Sequence, residues 1–140
     1  MSHTLAVASR ARTGNAVRGT ATQLPFADGS VDVAMCSQTL HHFDDASASA
    51  VLRELNRVAR VRVIVSDLRR SWFAAAGLWL ASFPLGFHPV SRHDGVVSIM
   101  RGYTRHELRK LVGSAIGCTP TVRRRLGWRV TATWKPGRHS

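Results

Sequence analysis

Residues suited to chemistry gather in three places along the chain. His41-His42-Phe43-Asp44-Asp45 sets two imidazoles beside two carboxylates, a donor set of the kind that binds a divalent metal. Adjacent side chains point apart on most backbones, however, and an aspartate just ahead of a helical pattern serves as an N-cap. The segment therefore reads as a turn and a cap, with no metal. His88, His93 and Asp94 lie among Pro89 and Gly95, a composition that predicts a solvated loop. The third place is a pair of polar doublets, Ser37-Gln38 and Ser66-Asp67, each following an apolar run. If both runs are strands of an open α/β sheet, the doublets stand at the carboxyl ends, where such folds bind ligands. Asp67 is the candidate catalytic residue. It either orients or deprotonates a substrate, or caps a turn by pairing with Arg69 or Arg70. Cys36 sits inside an apolar run, where a thiol is packing. No G-x-S-x-G, P-loop or G-x-G-x-x-G motif occurs.

The elements that must position these residues follow from periodicity and turn chemistry. LAVASRAR, residues 5–12, predicts the end of a helix stopped by Gly14 and Asn15, and residues 16–20 predict a short strand. Leu24 to Ser30 is a turn rich in Pro, Asp and Gly. Val31 to Cys36 is short and apolar, as in a strand covered on both faces. Asp44 and Asp45 offer caps to a helix over 46–59, whose Val51, Leu52, Leu55 and Val58 form one face; Arg53, Glu54 and Arg57 lie off it. Val61 to Val65 is the next strand, completing a βαβ unit.

Residues 72–87 are the most apolar stretch. They are shorter than the ~20 residues of a spanning helix, and Pro84 interrupts them. A buried or lid-like helix is expected, with a helix lying on a membrane surface beside Arg69 and Arg70 as the alternative. Thr104-Arg105-His106-Glu107 is a capping box for a helix that buries Leu108, Leu111, Val112 and Ala115 and ends at Gly117. Pro120–Arg125 and Trp128–Trp134, separated by Leu126-Gly127, predict a hairpin.

At 140 residues and 44% hydrophobic composition, the chain is expected to be one domain with a proper core, not a disordered tail. Two cysteines without a signal peptide point to a reducing cytoplasm. The net charge is +12, and the second half carries most of it: residues 71–140 hold 11 basic and 2 acidic residues. Such an excess attracts nucleic acid or anionic membrane. The arginines are scattered and lack interleaved aromatics, so solvated faces are the plainer reading and nucleic acid is not expected.

LPFADGSVDVAMCSQTLHHFDD, followed by Leu52-Arg53-Glu54 and Arg57-Val58, resembles class I S-adenosylmethionine-dependent methyltransferases of the type 11 group. Asp67-Leu68-Arg69-Arg70, Ser91-Arg92-His93-Asp94 and Tyr103-Thr104 with Glu107-Leu108-Arg109 extend the likeness to about residues 5–115. The resemblance implies an α/β, Rossmann-like sheet ending in a β-hairpin. It also implies S-adenosylmethionine as cofactor and methyl transfer to a small-molecule acceptor. It would place Thr20 and Ala21 at the adenine, with Thr20 replacing the family's usual acid. Ser37 and Gln38 would lie at the cofactor's amino-acid end, Leu40 and His42 along the pocket, and Asp67 facing substrate. The family's first two strands and glycine-rich loop have no counterpart in this sequence. The chain is thus expected to be the C-terminal portion of a methyltransferase domain, from truncation, a mis-assigned start or a remnant, and inactive alone. It is also expected to self-associate through the strand edge that this exposes. The rival reading is a non-catalytic basic module that docks an anionic partner.

Overall fold

Two parallel strands set the frame of the computed structural model, which describes residues 17–84, 86, 88–126 and 128–137. Strand β1 (Val31–Ser37) lies beside β2 (Ala59–Leu68). Helix α1 (Asp45–Val58) connects them after a 3₁₀ turn at Leu40–His42. Asp44 caps α1 by accepting the Ser47 N–H at 2.7 Å, and its Val51, Leu52, Leu55 and Val58 are buried against the sheet side of the core. The apolar spacing of the sequence thus marks the face that packs.

Beyond β2 the chain makes a two-helix excursion, α2 (Trp72–Ser82) and α3 (Pro89–Met100), and returns through α4 (Arg105–Ile116). The capping box at Thr104 and Glu107 starts α4, and Gly117, at φ 74°, ends it in the left-handed region open to glycine. Leu108 and Val112 are fully buried, with Leu111 and Ala115 packed partly against them. The chain closes with the antiparallel hairpin β3 (Thr121–Arg125) and β4 (Arg129–Trp134). Strand β4 inserts antiparallel to β2, giving the order β1-β2-β4-β3. That mixed α/β sheet matches the Rossmann-like expectation. The Trp134 indole N–H donates to the Asn56 Oδ1 at 2.9 Å, tying the last strand to α1.

Four expectations from the sequence change. Residues 17–19 form no strand, and Thr20 makes only an isolated bridge to Gln23; the expected helix at 5–12 lies outside the described residues. Among the described residues, strand β1 is covered on one face only. Ala34 is buried while Val33 and Met35 are exposed, because α1 and α4 both pack on the Ala34 side. Strand β2 does not stop at Val65: pairing of Asp67 with Val130 and Leu68 with Arg129 carries it three residues further. His93 and Asp94 lie on helix α3 and not in a loop, Pro89 occupying its first position, where a missing N–H costs nothing.

Segment 24–29 is held against α1 by one side chain. The Arg57 guanidinium donates to the Phe26 carbonyl at 2.9 Å and the Leu24 carbonyl at 3.2 Å. It also pairs with Asp28 and with Glu54, whose other contact is the Leu24 N–H at 2.7 Å. The Arg57 hydrogen bonds hold the Glu54 carboxyl below its ordinary range. A depressed carboxylate stabilises the fold above its unfolded pKa of about 4.3 and loses that contribution as pH falls through its folded value. The melting temperature should therefore fall on acidification below about pH 4.5, and fall less steeply in Glu54→Gln. Parallel pH profiles for the two proteins would refute this account.

The neck of the excursion closes largely on backbone. The Tyr103 N–H donates to the Leu68 carbonyl at 2.9 Å, the Arg70 N–H to the Tyr103 carbonyl at 3.4 Å, and Arg69 bridges Tyr103 in parallel. A Cβ on Gly102 would stand 2.6 Å from the Leu68 carbonyl oxygen and 2.9 Å from the Arg70 nitrogen. Backbone atoms cannot swing aside, so Gly102→Ala should cost about 1–3 kcal/mol. Denaturant titration reads it, and a loss below about 0.5 kcal/mol would contradict the close approach.

Candidate functional site

The carboxyl ends of β1 and β2 lie side by side, Ser37 opposite Ser66. At Gln38 the backbone turns sharply at φ 51°, and its N–H donates to the Ser66 carbonyl at 2.8 Å. The Thr39 hydroxyl then donates to the Ser37 carbonyl at 2.8 Å. A non-glycine residue at positive φ stores strain and is held there only by its surroundings. The result is that the Ser37 and Gln38 side chains stand exposed at the strand end, in the crevice position of an open α/β sheet.

Asp67 is fully buried, and three hydrogen bonds engage its carboxylate. Oδ1 accepts from His41 Nδ1 at 2.6 Å and from the Leu68 N–H at 2.7 Å, while Oδ2 accepts the His41 N–H at 3.2 Å. Its partner is thus His41 and not Arg69 or Arg70. Arg70 instead reaches Glu107 at 3.1 Å and the Gly102 carbonyl at 3.1 Å. A carboxylate only accepts, so the Nδ1–H of His41 is the donor of this bond, and Nε2 is the ring nitrogen left outside it. The Tyr103 hydroxyl donates to the Leu40 carbonyl at 3.3 Å, bracing the same turn from the other side. Burial, followed by the charge of Asp67, pushes its pKa up to about 12, so it stays a neutral donor.

An open cleft of about 530 Å³ lies over this turn, lined by His41, His42, Asp45, Arg70, Arg101 and Tyr103 among others. A second, of about 460 Å³, continues along Asp45, Arg70, Tyr103, Glu107 and Lys110. His42 is exposed and faces the first, its ring centroid 4.0 Å from that of His41. Leu40, expected to line the pocket, is fully buried in the core, because the 3₁₀ turn aims it beneath the helix. Thr20 and Ala21 take their contacts elsewhere. Thr20 bridges to Gln23, and Ala21 packs partly against the core. Burial raises the Cys36 thiol above its ordinary value, so it stays protonated. Among the described residues no cluster of three or more metal-ligating side chains occurs.

Two participants are hard to see in the sequence. Tyr103 precedes the capping box and looks like part of it, yet it closes the neck and braces the turn. His41 looks like half of a metal pair, yet its partner is 26 positions away at Asp67. The signal for both is indirect: a lone aromatic at a helix start, and an acid after an apolar strand.

Residues 1–65 match the type 11 methyltransferase domain family. Over 65 residues the chain is 35% identical to the uncharacterised protein YafE of Escherichia coli K12, a match covering 45% of this chain and 30% of YafE. Among solved structures, an S-adenosylmethionine-dependent methyltransferase from Thermotoga maritima superposes with a TM-score of 0.69 at 19% identity, over 97% of this chain and 70% of that one. Another from Aquifex aeolicus gives 0.62 at 15% identity, over 96% and 63%. The chain therefore spans under a third of YafE and about two thirds of these two structures. The first 65 residues thus match the type 11 methyltransferase domain family, and nearly the whole chain shares the fold of solved S-adenosylmethionine-dependent methyltransferases.

Proposed function

We propose that this chain forms the carboxyl-side wall of an S-adenosylmethionine-dependent methyltransferase site and presents a small-molecule acceptor there. The observation that carries the reading is the sharp turn at Gln38, which leaves Ser37 and Gln38 exposed at the strand end, inside the segment matched to the family. Their hydroxyl and carboxamide suit the charged amino and carboxyl groups of the cofactor's amino-acid end. Thr20 and Ala21, with no carboxylate between them, offer the adenine and ribose little. The cofactor, when bound, supplies an electrophilic methyl group on a sulfonium sulfur.

The remaining roles belong to the chain's own residues. His42, Arg70 and Tyr103 hold the acceptor in the cleft, so that desolvation and alignment drive the transfer. The Nε2 of His41 receives the proton that the acceptor loses. Asp67 acts as a positioning residue: it fixes the His41 ring and touches no substrate. Within the same proposal, a further strand pairs at the open edge of β1 beside Val33 and Met35, whether from a second copy or another segment.

With so few groups for the adenosine end, calorimetry on the 140-residue chain should show no micromolar affinity for S-adenosylmethionine. Millimolar S-adenosylhomocysteine should nonetheless shift the amide resonances of Ser37, Gln38 and His42. An undisturbed spectrum, or shifts confined to another face, would end the proposal.

Asp67→Asn turns an accepting oxygen into a donating amide opposite either the His41 N–H or its ring N–H. One buried bond is lost, at a cost of about 1–3 kcal/mol. The positioning role also predicts that the ring nitrogen resonances of His41 move in the variant while those of exposed His42 do not. Unmoved His41 ring resonances would return Asp67 to a mere cap.

A further inference from the structure

The two-helix excursion is odd for a soluble surface. Helices α2 and α3 make their principal contacts with each other and stand off the sheet. Of the readings open for this stretch, a buried or lid-like helix or one on a membrane surface, full burial does not occur: Ala75 and Ser82 are buried, but the large side chains described are not. Phe73 is 86% exposed, and Trp79, Leu80 and Phe83 each show about half or more of their surface. Helix α2 contains no charged residue at all. No helix among the described residues is long and apolar enough to cross a membrane. Large exposed apolar patches mark surfaces that meet something.

The hairpin turn adjoins this neck. The Arg69 N–H donates to the Trp128 carbonyl at 2.7 Å, and the Arg69 guanidinium sits 5.1 Å from the centre of the Trp128 ring. Leu126, at the same turn, is 98% exposed. Around it stand Arg124, Arg125 and Arg129, exposed and in no ion pair among the described residues. Five of the eight acidic residues, Asp28, Asp32, Glu54, Asp67 and Glu107, pair elsewhere, with Arg57, Arg60, Arg70 and His41. Sequence positions 68–93 and 108–140 contain no acidic residue.

We propose that this rim, the β3–β4 turn with the exposed large side chains along α2, docks the protein on an anionic phospholipid bilayer. Exposed Leu126, Phe73 and Leu80 enter the headgroup boundary, Trp128 and Trp79 sit at its level, and the arginines contact lipid phosphates. Nucleic acid would use the arginines but leave the aliphatic and aromatic side chains in water. A second copy would bring two strongly basic rims face to face. A bilayer satisfies both the apolar and the cationic groups.

Vesicle flotation with the 140-residue chain tests this. It should float with vesicles of phosphatidylcholine and phosphatidylglycerol in equal parts, and not with phosphatidylcholine alone. Trp fluorescence should shift to the blue on binding. Leu126→Ser with Phe73→Ser, and separately Arg124→Glu with Arg125→Glu, should each weaken partition about tenfold or more. All four positions are exposed, and melting temperatures matched to the parent show that the fold is kept. A variant pair that melts early is replaced by the milder Leu126→Ser or Arg124→Gln alone, with the same direction expected. Flotation on neutral vesicles alone, no flotation, or indifference to both pairs overturns the proposal. So does displacement from anionic vesicles by an equal mass of duplex DNA, which would assign the rim to nucleic acid.

Discussion

The buried carboxylate of Asp67 is the constraint on which the candidate site depends. A buried carboxylate needs hydrogen-bond donors on both oxygens, or its burial is costly. Here the Leu68 N–H and two N–H groups of His41 supply them. Because His41 sits on the turn after β1 and Asp67 near the end of β2, satisfying one carboxylate fixes the spacing of two strand ends. The turn that carries Gln38, Leu40 and His42 inherits its position from that requirement. Tyr103 adds a second brace through the Leu40 carbonyl, and the Gly102 close approach lets it reach there.

The sheet joins stability to site geometry in the same way. Strand β4 extends β2 past its apolar run, and it is this extension that places Asp67 inside the fold instead of at its rim. The cost of a buried acid is thus tied to a hairpin that begins more than fifty residues later in the chain. At the opposite end of α1, Arg57 and Glu54 hold segment 24–29. Both ends of the parallel pair are therefore fixed by polar knots, while the covered face between them is aliphatic.

Charge is distributed according to what each half of the chain must do. In the first half most carboxylates are paired, and they order backbone. In the second half basic residues outnumber acidic ones 11 to 2, so most arginines have no partner to order. Three of them, Arg124, Arg125 and Arg129, stand with exposed Leu126 and Trp128 at the β3–β4 turn. A solvated face would show the arginines without Leu126, and a core would show Leu126 without the arginines.

Much of this was legible in the residues. Periodicity gave α1 and its buried face, the Asp44 cap and the Thr104 box marked two helix starts, and Gly117 marked an end, because these depend on interactions within four residues. The motif string from Leu24 to Asp45 pointed to the family, and Ser37-Gln38 to a strand end. What the sequence alone could not decide were pairings across distance. Asp67 could equally have met Arg69 or Arg70, since local spacing favours neighbours; only folding brings His41 to it. Leu40 carried the same apolar signal whether it lined a pocket or the core, and the 3₁₀ turn chose the core. Residues 72–87 left a buried or lid-like helix and a membrane-surface helix open, because hydrophobicity predicts burial only on average and a helix is buried only where another element covers it. Here α3 covers part of α2 and nothing in the described fold covers the rest, a fact set by where the chain returns and not by the residues of the helix.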